Sequence, residues 1–294
     1  MFDAGLVIDW SARSTPSPKT PVADAIYACG FTQAEVDHPQ YFRTRHACFA
    51  ACITAIDAAL ARGEVFFLGF DFSFGYPMGF VPAVTGQADA KSIWHYFKRH
   101  VQDGQDNSNN RFAVADQINA RLSGVGPFWG CPANQQFDHL PHKGSARRDH
   151  GFGEYRATEI ASKTAQSSWK LFTTGSVGSQ AVLGMTYLAK LMDRYGAAAH
   201  FWPFDGDIPS RGPALVVAEI YPSLFSHPSD ADLRRRYDTE IFQIKDACQV
   251  WRTADHLRQM TSDKWQGLHS GYNITNPQIQ AEGWIVGVPC GPTP

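Results

Sequence analysis

Four acidic residues, Asp9, Asp71, Glu219 and Asp246, stand where a chain places side chains for chemistry. Three close short apolar runs: Gly5-Leu-Val-Ile-Asp9, Val65-Phe-Phe-Leu-Gly-Phe-Asp71 and Val216-Val-Ala-Glu219. The fourth opens an amphipathic stretch at Lys245-Asp246. An acid that ends a strand buried on both faces is presented at the sheet edge on a rigid support. Hard divalent cations such as Mg²⁺ or Mn²⁺ take oxygen ligands, and two of them about 4 Å apart can activate a water and stabilise the leaving oxygen of a phosphodiester. Carboxylates crowded together repel unless a cation neutralises them, so a cluster of four implies a metal. Each acid also has a plainer reading. Asp9 could cap a turn through Ser11, Glu219 could form a structural salt bridge, and Asp246 could be a first-turn acid favoured by the helix dipole. The recurrence of the strand-then-acid pattern in distant segments favours one shared site, with these four residues as both metal ligands and catalytic groups.

Other residues are candidates for binding substrate. Gly175-Ser-Val-Gly-Ser179 opens a helix, and the backbone N–H groups of such a turn attract an anion, which places Ser176, Gly178 and Ser179 beside a substrate phosphate. No Gly-Lys-Ser/Thr follows, so this is not a nucleoside-triphosphate loop. Ser11 follows the first acid. Lys143, Arg147, Arg148 and Arg156 could face a substrate backbone, with Trp129, Phe152 and Tyr155 available for stacking and Glu159 and Lys163 lining the site. Cys131, His139, His142 and His150 fit no common zinc spacing, and Ser179 has no readable histidine and acid partners for a hydrolase triad.

The elements that must hold these residues are partly readable. Asp24 to Gly30 forms a hairpin partner for the first strand, reached through the Ser/Pro-rich loop Ser14 to Pro21. Helical spacing runs from Tyr41 to Ala61 and stops at Gly63. Residues 85–170 are polar and weakly periodic and read as an insertion over the site, with helices near Ser92-His100 and Ala113-Leu122. A helix follows Gln180 and closes at Gly196, strands are expected at Ala198-Phe204 and Ala214-Ile220, and Glu282 to Val288 forms a closing segment. One domain over 1–294 is expected, since no repeat or low-complexity linker divides the chain.

Composition sets the boundaries. With 44% hydrophobic and 18% charged residues the chain can bury a large core. A net charge of −2 gives no global field to recruit nucleic acid, so any such binding needs a local patch such as Arg147-Arg148 or Arg234-Arg235-Arg236, the latter equally a solvated helix face. Six cysteines without a CxxC pair read as buried thiols in a reducing compartment. Neither a signal peptide nor a membrane span is evident, and the expected location is cytoplasmic.

The segments Val7-Ile-Asp9-Trp-Ser-Ala12, Gly69-Phe-Asp71-Phe-Ser-Phe-Gly-Tyr-Pro77, Ser176-Val-Gly-Ser-Gln180, Ala218-Glu-Ile-Tyr-Pro222 and Glu282-Gly-Trp-Ile285 resemble the ribonuclease H-like family called domain of unknown function 429. The resemblance spans nearly the whole chain. It implies an α/β fold with a mixed five-stranded sheet flanked by helices, in the order β-β-β-α-β-α-β-α. It further implies a nuclease-like site with acids on the first strand, a middle strand and the last helix, the places of Asp9, Asp71 and Asp246. Members of this family often carry a second aspartate one turn into that helix. Here the position is Gln249, which brings oxygen but no charge. The expectation is a metal-dependent nuclease or phosphodiesterase using Mg²⁺ or Mn²⁺ on a nucleic acid or nucleotide substrate. Its alternatives are a degenerate module that binds nucleotide, nucleic acid or protein without chemistry, and an actin-like nucleotide-dependent kinase, which would need a second phosphate loop.

Overall fold

The two most apolar runs lie side by side at the middle of the sheet. In the computed structural model, which describes residues 1–209, 213–225, 230–237, 239–268, 273 and 275–289, β1 (Ala4–Asp9) pairs in parallel with β4 (Val65–Phe70). Every residue of β4 and of β6 (Ala214–Glu219) is buried, as expected of strands covered on both faces. The strand order is β3-β2-β1-β4-β6-β5, with β2 (Ile26–Thr32) and β3 (Gln40–Phe42) antiparallel and β5 (Ala199–Trp202) parallel to β6. The sheet thus has six strands rather than five. The sixth, β5, is an edge strand beyond β6, and it coincides with the first of the two strands expected between residues 198 and 220.

One face of the sheet carries α1 (Arg45–Ala61), the short α2 (Phe80–Thr85), α3 (Ser92–His100), α4 (Arg111–Asn119) and, later in the chain, α6 (Gly178–Tyr195), while the intervening α5 (Ala157–Ser162) turns Ala157 and Ala161 to the cluster on the opposite face. Tyr41 belongs to β3, so α1 starts four residues later than its apolar spacing indicates, behind an N-cap in which Ala47 N–H donates to Thr44 Oγ1 at 3.2 Å. Ile8, Leu68, Phe70, Leu215 and Val217 point to this face, and Trp94, Phe97, Phe128 and Trp169 from the polar stretch pack into the same cluster. Each such side chain contributes roughly 1.5–3 kcal/mol by burial. Residues 85–170 are therefore part of the core, not a detached lid. Fully buried Arg45 fixes them to α1, its Nη2 2.6 Å from Asp103 Oδ1.

The other face carries α7 (Ala231–Arg236), α8 (Lys245–Arg258), α9 (Ser262–Leu268) and α10 (Pro277–Glu282). Val7, Tyr27, Phe67, Val216 and Ala218 meet Ala247, Val250, Trp251 and Ala254 there. The closing segment returns to the sheet, where Val286 N–H donates to Glu219 O at 3.0 Å. Cys29, Cys48, Cys52, Cys131 and Cys248 are buried free thiols, and Cys290 lies outside the described residues. No helix among the described residues is long and apolar enough to cross a membrane.

Candidate active site

Strand register decides which acids meet. Ile8 pairs with Phe70, so Asp9 and Asp71 are the next residues on neighbouring parallel strands, which run about 4.8 Å apart. Asp71 N–H donates to Ile8 O at 3.1 Å and carries the pairing one step past β4. Alternation puts Ile8 and Phe70 on the α6 face and Asp9 and Asp71 on the α8 face. From that face, the first turn of α8 delivers Asp246, whose Oδ2 accepts from Asp24 N–H at 2.8 Å. Asp24 holds the left-handed conformation, φ 56°, at the entry to β2. The acids Asp9, Asp24, Asp71 and Asp246 all line one cavity of about 680 Å³.

The charges in this cavity disfavour one another. Burial pushes the Asp9 carboxyl well above the usual aspartate range, and Asp71, Asp246 and Asp24 push it further. Asp71 is raised by burial against the Trp10 N–H that stabilises its anion, with Asp246 and Glu219 adding to the rise. Asp246 is raised by burial in spite of its bond from Asp24. Asp71 Oδ1 is sealed from solvent and accepts no hydrogen bond, a costly state for a carboxylate oxygen unless a donor or cation supplies one. Among the described residues, no three His, Cys, Asp or Glu side chains stand close enough together to hold a metal ion as they are. The acids converge on a common space without forming a closed ligand shell.

Glu219 is elsewhere. It pairs in register with Phe70, so its side chain emerges on the α6 face. There Arg156 forks onto it, Nη2 to Oε1 at 2.6 Å and Nη1 to Oε2 at 2.8 Å, and Phe74 N–H adds a third bond at 2.9 Å. Arg156 also binds Glu159, Nε to Oε1 at 2.9 Å. Burial works against this guanidinium, and the two carboxylates more than offset it. Arg156 is fully buried and committed, so it joins the insertion to the sheet instead of reaching the cavity. The turn after Asp71 is locked by the same network. At Gly75 any side chain would strike Glu282, its Cβ falling 2.4 Å from the Glu282 carbonyl oxygen, while Glu282 Oε1 accepts from Met78 N–H at 2.8 Å.

The remaining expected residues divide likewise. Ser176, Ser179 and Ser11 line the acid cavity. Ser11 Oγ donates to Asp24 O at 3.0 Å, and its carbonyl accepts from Arg45 Nη1 at 3.0 Å, so it holds the loop after Asp9 in place. Ser179 Oγ donates to Leu171 O and accepts from Arg111 Nε at 2.7 Å. Gly178 is a packing position, because a Cβ there would lie 2.3 Å from Ser168 O. Arg147 is paired with Glu154 at 2.7 Å and rests 5.5 Å over the Trp129 ring, away from the cavity. Cys131 Sγ meets His142 Nδ1 at 3.2 Å, with neither His139 nor His150 completing a metal site. Arg234, Arg235 and Arg236 lie exposed on α7. Gln249 is buried with its Nε2 3.3 Å from Ser223 Oγ, and does not line the cavity.

The polar cavity residues that the sequence does not mark as site residues include Arg13, Asp24, Arg111 and Ser223. Asp24 reads as an ordinary turn acid, and only the bond to Asp246 across 222 residues reveals its place. Arg111 lies in the weakly periodic stretch after Asn109-Asn110 and carries no local signal. The chain matches no protein-family model, no curated protein and no solved structure.

Proposed function

We propose that this protein is a metal-dependent phosphodiester hydrolase of ribonuclease H-like type, acting on a nucleic acid or nucleotide. The observation that carries this reading is the convergence of Asp9, Asp71 and Asp246 in one cavity at the ends of adjacent parallel strands and the start of α8. Strand order supports it too, since the acid-bearing strands β1 and β4 are central and flanked by the antiparallel β2 and the parallel β6. The donor set suits a hard divalent cation: oxygen only, anionic, and including an Asp71 oxygen without a partner. Asp9, Asp71 and Asp246 would hold Mg²⁺ or Mn²⁺, which when bound lowers the pKa of a water and neutralises charge on the phosphoryl oxygens. The protein's own part is to hold these carboxylates rigidly and to orient substrate through the loop that leads into α6. Glu219 is assigned to the scaffold.

The direct test is hydrolysis of bis(p-nitrophenyl) phosphate and of short single-stranded oligonucleotides with Mg²⁺ or Mn²⁺, comparing wild type with Asp9→Ala. A metal-dependent rate that falls about 100-fold or more in the variant is expected, since several kcal/mol of transition-state stabilisation is removed. Equal rates would overturn the reading. A second reading, a ribonuclease H-like module that binds without chemistry, draws on Gln249: where the resemblance calls for another carboxylate, this side chain is neutral and turned to Ser223. Metal-independent ligand binding, unchanged by Asp9→Ala, would favour it.

A further inference from the structure

The cavity that the acids line also carries groups of the reverse charge. Arg111, at the first position of α4, is 6% exposed, yet no carboxylate among the described residues pairs with it. Its bonds go to neutral oxygens: Nε to Ser179 Oγ at 2.7 Å, and Nη1 to Asn109 Oδ1 at 2.7 Å and Ser14 Oγ at 2.9 Å. Nη2 has no acceptor among the described residues and is not sealed from solvent, and Arg111 lines the cavity. A buried guanidinium without a direct ion pair is costly: Asp103 acts on it only from a distance while bound to Arg45, and the Phe112 ring 4.3 Å away and three neutral oxygens fix its direction without neutralising it. Burial lowers its pKa to about 10, with Arg45 pushing the same way and the more distant Asp103 carboxylate opposing both, so it remains a cation at neutral pH.

The first turn of α6 faces the same space. Gly178 N–H donates to Lys170 O and Ala181 N–H to Val177 O, whereas the amides of Ser179 and Gln180 take no acceptor among the described residues. Ser179 and Gln180 both line the cavity. Two free amides at the positive end of an 18-residue helix and an arginine without a direct ion pair therefore line the same cavity as the carboxylates.

We propose that Arg111 and the first turn of α6 form an anion subsite that takes a phosphate group of the substrate, in the same cavity as Asp9, Asp71 and Asp246. This rests on the phosphodiesterase reading for its substrate class but not for its existence. Arg111 donates to the phosphate through Nη2, the Ser179 and Gln180 amides add neutral donors, and Ser179 Oγ positions the guanidinium. Such charge-assisted bonds are the strong ones in anion recognition. The subsite also solves an electrostatic problem, because a phosphate facing the carboxylates alone would be repelled.

The test is titration with inorganic phosphate in the presence of EDTA, followed by calorimetry and thermal unfolding, on wild type, Arg111→Gln, Ser176→Asp and Asp71→Asn. Wild type should bind saturably. Arg111→Gln should raise the half-saturating concentration at least 10-fold, and so should Ser176→Asp, which sets a negative charge on the half-exposed loop before the helix. Asp71→Asn should bind as tightly as wild type or more tightly, one repelling charge being gone. Absence of saturable binding by wild type overturns the subsite, as does binding within twofold of wild type by either of the first two variants. Should Arg111→Gln fail to fold, Ser176→Asp decides. Phosphate binding that depends on Arg111 in a protein whose Mg²⁺ response survives Asp71→Asn would keep the subsite and remove the metal reading.

Discussion

Phe70 pairs with Glu219, and Asp71 follows Phe70, so a single step along the chain moves a carboxylate from one face of the sheet to the other. Glu219 meets Arg156 on the α6 face, and Asp71 meets Asp9 and Asp246 on the α8 face. Neutralising each should have opposite effects. Glu219→Gln leaves the buried Arg156 fork short of a charge, which costs about 3 kcal/mol or more of stability. Its Mg²⁺-dependent stabilisation should persist. Asp71→Asn removes a repelling charge whose Oδ1 has no partner, so the metal-free protein should be at least as stable as wild type while its gain from Mg²⁺ largely disappears. Urea unfolding of both variants in EDTA and in saturating Mg²⁺ separates the two roles. If Glu219→Gln were the variant that lost the metal response, the assignment of these acids would be reversed.

Elements place these residues, and α6 shows how tightly. Its start abuts the segment before it so closely that a Cβ on Gly178 would fall 2.3 Å from Ser168 O and 2.7 Å from Lys170 O, both backbone atoms with little room to yield. Gly178→Ala is expected to cost about 1–3 kcal/mol as overpacking and to shift the loop through Ser176, weakening phosphate binding along with stability. Urea midpoints with phosphate titration check this, and an unchanged midpoint would show that the junction has slack. The same comparison shows what local sequence can and cannot specify. The apolar runs of β1, β4 and β6, the acid at the start of α8, and the helical spacing of α1, α6 and α8 were legible, because each is set by alternation or period within one segment. The face taken by Glu219 was not, since it depends on how β6 aligns with β4, two strands far apart in sequence. Arg111 was equally hidden: its partners Ser14 and Ser179 come from segments 97 and 68 residues away. In residues 85–170 the buried aromatics Trp94, Phe97, Phe128 and Trp169 lie partly in irregular chain, where no periodicity marks them as core.

At the scale of the whole molecule, the acid cavity sets how stability varies with pH. The chain carries a net charge of only −2, so general self-repulsion is weak, and local clusters dominate the response. Asp9 and Asp71 both titrate in the folded protein well above the ordinary aspartate value of 3.8. Above that value the unfolded chain has released these protons while the folded chain still holds them, so the folded state binds more protons and stability falls as pH rises. The stabilisation is fully present below about pH 4 and is lost as pH climbs through the raised values, the reverse of an aspartate held by a salt bridge. Metal-free protein should therefore unfold at progressively lower urea concentration from about pH 4 upward through the raised titrations of Asp9 and Asp71. Asp9→Asn should flatten that dependence by deleting one titrating group and relieving the others. Saturating Mg²⁺ should reverse the slope in wild type, because the cation binds the ionised carboxylates and its stabilisation grows as they deprotonate. A metal-free midpoint that rose with pH over this range would mean that the carboxylates are satisfied by the protein alone, and the case for a cation between them would fall.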